Sequence, residues 1–231
     1  MGLVHSPSVV TNGLVFCVDA ANKKSYSGSG TSCNDIIGAK VGTLAAGASY
    51  SSSNIGVFDF TGANGFVSLP ASTFVNLAGV EGTFCYWIKF PAGDAVTRYL
   101  FDDGGGWPNQ VFLYRNDFWT ANQWAWAIYY TDTSNNTGWH IQSLTYAPNT
   151  WFMTSMTYST NGQQRIYINN TLSYTGNPTN FSSWKRSGTN QPSFGGGGTT
   201  TSAAALLHYN RALSAAEITQ NFNAMRGRFG V

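Results

Sequence analysis

The stretch that closes the chain, Tyr209 to Val231, carries a complete set of helix signals in a sequence that otherwise reads as strands and turns. Ser214 stands at an N-cap position with Glu217 three residues on. That is the capping-box spacing, in which each side chain satisfies a backbone N–H that the helix start leaves unpaired. Leu213 before the cap and Ile218 behind it have the spacing of a hydrophobic staple. Ile218, Phe222 and Met225 recur at i, i+4 and i+7, which makes one apolar stripe, and Gly227 is a stop. The pattern predicts a helix over 214–226. An amphipathic helix must lay its stripe on something, and only a β-sheet body is available here. Such a domain points to recognition rather than catalysis.

The strands are spaced as in an antiparallel meander. Leu14 to Val18 is a short apolar run, and Val57 to Phe60 with Gly65 to Leu69 suggests a strand pair around the turn at residues 61–64. Thr83 to Phe90 (TFCYWIKF) is the strongest central strand, being aromatic and β-branched between Gly82 and Pro91. Arg98 to Phe101, Gln110 to Arg115, Gln123 to Thr131 and Trp139 to Tyr146 follow, separated by clusters of Gly, Asn, Asp and Ser. Trp151 to Tyr158 and Gln164 to Asn169 flank Asn161-Gly162, a hairpin signal. Shorter strands fit Leu172 to Tyr174 and Ala204 to Tyr209. Residues 25–35 and 42–54 are small, polar and Gly-rich, and read as surface connections with one brief strand near Thr43-Leu44. No repeat, linker or break in composition divides the chain, so one domain over 1–231 is expected. Many short strands and one terminal helix describe an all-β, two-sheet antiparallel sandwich.

Charged residues make up only 10% of the chain, well below the usual quarter, while 42% apolar residues suffice for a core. The net charge of +2 is spread over isolated pairs such as Lys23-Lys24 and Lys185-Arg186, without the basic stripe of a nucleic-acid interface. Nothing approaches a membrane span or a secretory leader, so no membrane insertion is expected. Cys17, Cys33 and Cys85 are odd in number and lack paired Cys-x-x-Cys spacing. Free buried thiols are expected, consistent with folding in a reducing cytoplasm.

Several stretches, in order, carry a resemblance. They are Gly13 to Ala20, Ser25 to Thr31, Phe58 to Gly62, Thr83 to Lys89, Trp151 to Tyr158, Ile166 to Asn169, and the closing YNRALSAAEITQNFNAMRGRFG from Tyr209 to Gly230. Together they resemble the laminin-G-like branch of the concanavalin A-like lectin/glucanase superfamily. The closing segment looks like the ending of such proteins in tailed bacteriophages, particularly those of marine and cyanobacterial hosts. The resemblance implies a concanavalin A-like jelly-roll sandwich. It also implies a virion component, decorating the capsid or forming part of a tail or fibre and assembled in the host cytoplasm. Its partners would be other virion proteins, a host-surface glycan, or both, with a homo-oligomer as one form. A bacterial carbohydrate-binding module is the alternative. The sequence departs from the family pattern at Cys33, where a tryptophan is expected, at Gly65, where an aspartate is common, and at Thr199 to Thr201 in place of an aromatic-Gly step.

The same fold houses glycosidases, which use two carboxylates facing one bond, about 5–10 Å apart. This chain has two glutamates: Glu81 sits in a Gly-flanked turn, and Glu217 is committed to the helix cap. Neither a Glu-x-Asp-x-x-Glu run nor a Gly-x-Ser-x-Gly elbow occurs, and the glycine run 195–198 lacks the Lys and Ser/Thr of a phosphate loop. The histidines are isolated, and His208 fits a hydrogen-bonded place in a sheet. No enzyme activity is expected. Two features remain. Asp102-Asp103 opens a Gly-rich loop whose carboxylates and carbonyls suit calcium, a cation that laminin-G-like relatives often hold at a sandwich edge; the alternative is a solvated Asp-Gly turn. Between residues 107 and 151 lie Trp107, Trp119, Trp124, Trp126, Trp139 and Trp151, and sugar rings stack on aromatic faces. Trp107, Asn109, Trp119 and Trp124 are the candidates for glycan or partner binding. Trp124 and Trp126 share one side of a strand, which is either a core face or a binding face.

Overall fold

The computed structural model of the protein describes residues 7–62, 65–71, 73–74, 81–92, 97–104, 110–116, 122–185, 190–195 and 201–231, with the side chains of 97, 98 and 116 left out. In chain order the strands begin with β1 (Leu14–Asp19), β2 (Ser32–Asn34), β3 (Val41–Leu44), β4 (Ala48–Ser51), β5 (Val57–Phe60) and β6 (Val67–Ser68). Next come β7 (Gly82–Lys89), β8 (Thr97–Asp102), β9 (Val111–Asn116), β10 (Gln123–Asp132) and β11 (Thr137–Thr145). The series ends with β12 (Trp151–Tyr158), β13 (Gln164–Ile168), β14 (Thr171–Gly176), β15 (Phe181–Trp184), β16 (Ser193–Phe194) and β17 (Thr201–Tyr209). One helix follows, α1 (Ala215–Met225).

These strands form two antiparallel sheets. The eight-stranded sheet has the order β14-β13-β12-β7-β17-β5-β4, with β1 also paired to β17. The nine-stranded sheet runs β11-β10-β9-β8-β16-β6-β3-β2, with β15 paired to β10. Successive strand residues point to opposite faces, so alternation fills the space between the sheets. Phe84, Tyr86 and Ile88 enter it from β7, and Trp124, Trp126 and Ile128 from β10. Trp126 Nε1 donates to Thr154 Oγ1 on the facing sheet at 2.8 Å, so the indole is buried without losing its hydrogen bond. His208 takes its expected place in the sheet, with Nδ1 3.1 Å from the Thr83 carbonyl and the ring stacked on Phe84.

The structure corrects the strand reading in three places. Residues 25–35 and 42–54 are more than connections: besides the brief strand expected at Thr43-Leu44, which is β3, they supply β2 and β4, edge strands too short and too small-residued to show a hydrophobic period. β5 and β6 are not a pair. β5 joins β17 and β4 in one sheet, while β6 joins β16 and β3 in the other. The chain crosses between sheets there, and a Cβ on Gly65 would lie 2.6 Å from the Thr61 nitrogen and 2.7 Å from the Gly47 carbonyl oxygen. That close backbone approach is why glycine, and not the family's aspartate, fits position 65. The β12–β13 hairpin forms as expected, through a longer loop in which Gly162 takes φ +85°.

The outer face of the eight-stranded sheet is covered. Ser214 caps α1 with a full capping box, and Leu213, Ile218, Phe222 and Met225 pack with Cys85, Trp87, Trp151 and Met153. Phe222 and Phe229 both stack on Trp87, at 5.7 and 4.4 Å. Buried Asn221 ties the helix to the other end of the chain. Its Oδ1 accepts the Val10 N–H at 2.8 Å, and its Nδ2 donates to the Tyr209 hydroxyl, which donates to the Val10 carbonyl. The three cysteines are free and buried, and burial pushes the Cys17, Cys33 and Cys85 thiols up to about 12, 12 and 11.

Candidate binding face

The outer face of the nine-stranded sheet is built differently. Its cross-strand register makes one continuous row. Ser32 faces Thr43, Thr43 faces Ser68, Ser68 faces Ser193, and Ser193 faces Asp102. Asp102 in turn faces Phe112, Phe112 faces Ala127, and Ala127 faces Ile141. One step along each strand, Leu44, Val67, Phe194, Phe101, Leu113 and Trp126 all lie in the core. The row therefore lies on the side away from it. Small hydroxyls occupy one half, a carboxylate stands at the middle, and the apolar Phe112, Ala127 and Ile141 occupy the other half.

The rings form a connected cluster. Tyr99 meets Phe112 edge-on at 5.3 Å, Phe112 meets Tyr114 at 5.3 Å, and Phe112 meets Trp139 at 4.8 Å. Trp139 then meets Tyr129 at 4.8 Å, and the Tyr129 hydroxyl donates to Thr137 Oγ1. Ala125 and Ala127 lie buried beneath them. The small methyls let rings from the flanking strands lean inward over β10. Edge-to-face ring pairs contribute about 0.5–1.5 kcal/mol each beyond burial, which holds the cluster in one arrangement. Tyr99 and Ile141 remain 57% and 45% exposed. Phe112, Tyr114 and Tyr129 are nearly buried, so Tyr99 and Ile141 stand as two separate exposed apolar ends of the cluster.

Asp102 and Asp103 part company across the sheet. Asp102 is half-buried on the outer row, where its Oδ1 accepts the Gly104 N–H at 2.8 Å. Burial raises its pKa above the ordinary carboxylate value, the Gly104 N–H opposes that shift, and the Asp103 charge adds to it. Asp103 is fully buried, and its Oδ1 accepts the Val111 N–H at 2.9 Å. Each carboxylate thus holds local backbone. Among the described residues, no group of three or more His, Cys, Asp or Glu gathers to hold a metal. The pair by itself falls short of the six to eight oxygens, roughly, that calcium takes.

Of the tryptophans expected to bind, Trp124 requires a correction. It is fully buried between the sheets, 5.8 Å from Phe152, because its side of β10 is the core side. Trp107, Asn109 and Trp119 lie outside the described residues. The residues that do make the open face, Tyr99, Phe112, Tyr114, Tyr129, Trp139 and Ile141, were not singled out from the sequence. The alternation Trp124-Ala125-Trp126-Ala127 held the signal for them, since alanines on the outer side leave room for the neighbouring strands' rings.

The remaining described aspartates, and Glu217, serve the fold. Asp19 pairs with Arg228. Asp35 accepts the Cys17, Ile37 and Gly38 N–H groups. Asp59 accepts the Ser202 hydroxyl, and Asp132 closes a turn through Ser134 and Asn136. Glu217 is held by Arg211 and Ser214, which draw its carboxyl down to about 2. Among the described residues, no helix is long and apolar enough to cross a membrane.

Known proteins of similar shape include the binding domain of botulinum neurotoxin serotype G, with a TM-score of 0.68 and 12% identity over 90% of this chain and 50% of that one. The binding domain of Paraclostridial Mosquitocidal Protein 1 has a TM-score of 0.70 at 16% identity, over 92% of this chain and 52% of that one. A Trypanosoma rangeli sialidase, in complex with sialic acid, has a TM-score of 0.66 at 15% identity, over 98% of this chain and 36% of that one. The chain thus spans about half the length of the first two and about a third of the last, and at these identities the likeness is one of fold. No curated protein matches by sequence. A laminin G model, described as "Concanavalin A-like lectin/glucanases superfamily", matches residues 61–219. With a two-sheet jelly-roll sandwich and a family match over most of its length, the chain belongs to the concanavalin A-like lectin/glucanases superfamily.

Proposed function

We propose that this lectin-like domain is a non-enzymatic recognition module that binds glycans across the open face of the nine-stranded sheet. The observation that carries this reading is the row from Ser32 to Ile141, which sets hydroxyls and a carboxylate beside a preorganised ring cluster. A sugar ring offers an apolar face to an aromatic and a rim of hydroxyls to polar groups, so it needs both halves at once. A glycan array probed with the wild type and with Tyr99→Ala tests it. The variant is expected to bind roughly threefold to tenfold more weakly. A blank array, or equal binding by both proteins, overturns the reading. The absence of turnover is part of the proposal. It is supported by the structural engagement of the described aspartates, and release of reducing sugar from a bacterial polysaccharide would overturn it.

Asp102 belongs, in this reading, to the recognition face rather than to a calcium site. The thermal midpoint is expected to be the same in calcium and in chelator. A rise in calcium that Asp102→Asn abolishes would return the pair to cation binding.

The setting we propose is the virion of a tailed phage, as capsid decoration or as part of a tail or fibre. The likeness of Tyr209 to Gly230 to phage proteins of this family supports it. Mass spectrometry of purified particles, with imaging of the labelled protein, is the test. Its absence from particles would leave the bacterial carbohydrate-binding module as the reading.

A further inference from the structure

A second recessed site lies away from the ring cluster, where the open edges of the two sheets meet. It is a groove of about 560 Å³ lined by Tyr26, Gly28, Thr31, Leu44, Ser49 and Tyr50, among others. β4 is the last strand of its sheet and β2 the last of the other, its outer edge met at Asn34 by Ser25. Tyr26 is buried and fixed. Its hydroxyl donates to the Gly30 carbonyl at 2.7 Å, and its ring packs against Phe58 at 5.3 Å and Tyr50 at 5.0 Å. Tyr50 is only partly buried, so part of it stays open. Gly28 and Gly30 take φ +102° and +80°, and a Cβ on Gly30 would meet nothing within 4 Å. A Cβ on Gly28 would lie 2.9 Å from Lys23 Nζ, so this glycine lets the ammonium approach the loop.

The charge at this site is one-sided. Lys23 Nζ stands 5.9 Å from the centre of the Tyr50 ring and donates to the Ser27 carbonyl at 3.3 Å. The ion pairs of the described residues, Arg211–Glu217 and Arg228–Asp19, leave Lys23 out. None of the groove's lining residues is acidic. Lys23 stands beside the groove rather than among its lining residues, and an ammonium next to a partly exposed ring, with backbone carbonyls and two hydroxyls, is a set of complementary contacts for one kind of ligand. A pyranose ring can lie on Tyr50, its hydroxyls can reach Thr31, Ser49 and the loop backbone, and an attached carboxylate can meet the ammonium.

We propose that this groove binds a carboxylated sugar residue, a uronic or a sialic acid, independently of the open face of the nine-stranded sheet. The volume suits one or two sugar units, within the range of about 300–1,000 Å³ that small-ligand sites occupy.

The test uses the full chain and saturation-transfer NMR titrations with methyl glucuronoside, methyl sialoside and methyl glucoside as separate probes, and sulfate, which has no protons, as a competitor. At least one acidic glycoside is expected to bind more tightly than the neutral one and than sulfate. Lys23→Gln should weaken that binding roughly fivefold, since the pair is exposed, while Lys23→Arg retains it. Tyr50→Ala should abolish it and Tyr50→Phe preserve it, with a melting curve confirming that both variants fold. Tyr99→Ala, which alters the other face, should leave it unchanged. The inference fails if neither acidic glycoside binds, if in the Tyr99→Ala background neutral sugar or sulfate binds as tightly, or if Lys23→Gln leaves the binding unweakened.

Discussion

The two sheets present outer faces of similar chemistry that meet different fates. On the eight-stranded sheet, Trp87 and Trp151 are buried, because Phe222 and Phe229 lie over them and Asn221 ties the helix to Val10. On the nine-stranded sheet, Tyr99, Phe112 and Trp139 form a comparable aromatic surface with Tyr99 left open. One face is completed by the chain's own end. The other, among the described residues, is completed only by its own rings. Aromatic content alone therefore does not mark a binding surface; what covers the rings does.

The largest test of this contrast removes the cover. Truncation after Leu213 takes away Ile218, Phe222, Met225 and Phe229, with about 1.5–3 kcal/mol at stake for each fully buried apolar side chain. Against a typical total stability of about 5–15 kcal/mol, the expected outcome is an unfolded or aggregated product, read by circular dichroism and light scattering. An unchanged melting temperature would show that the helix is a free tail and that the two faces are equivalent.

The covered face was legible in the sequence because its signals are local. Ser214, Glu217, Leu213 and Ile218 lie within six residues, and each rule that links them acts over one turn. The open face was not legible because it is assembled by register across strands from residue 32 to residue 193, and register is a property of pairing rather than of any one segment. Trp124 shows the same limit on a smaller scale. Alternation placed it on one side with Trp126, correctly, but only the packing of the second sheet reveals which side is inside. Short edge strands such as β2 and β4 escaped because three or four small residues carry no detectable period. Asp102 and Asp103 are neighbours in sequence, yet strand geometry sends one to the outer row and buries the other.

A smaller test reaches only the start of the helix. Ser214→Ala removes the hydroxyl that accepts the Glu217 N–H at 3.3 Å, at a cost of about 0.5–2 kcal/mol. The effect should also depend on pH. Arg211, chiefly, and Ser214 lower the Glu217 carboxyl from its ordinary 4.5 to about 2. A group depressed in the folded state stabilises it above its unfolded value and loses that contribution as pH falls through the folded one. The cap should therefore be constant above pH 4.5 and fade between about 4.5 and 2. Denaturant melts of wild type and Glu217→Gln across that window should converge at the acid end. A gap that persists at pH 2 would place the contribution elsewhere.

The smallest expected effect is the sharpest comparison. Tyr99 and Ile141 are the exposed apolar side chains of the ring-bearing half of this face, and neither sits beneath a cover. Replacing them together by Tyr99→Ser and Ile141→Ser removes little buried area, so stability should fall by about 0.5–1.5 kcal/mol at Tyr99, for its ring pair with Phe112, and by no more than about 0.5 kcal/mol at Ile141. Phe222→Ala on the covered face should cost about 3–5 kcal/mol by the same measurement, through lost burial and the cavity left over Trp87. Solubility should rise in the double serine variant as the apolar patch shrinks, while glycan binding falls. If its melting temperature dropped as far as that of Phe222→Ala, the rings of the nine-stranded sheet would be a second covered core, with a partner surface hiding them in the working protein. If stability held but binding also held, recognition would have to lie elsewhere on the molecule, with the groove at Tyr26 and Tyr50 the next place to look.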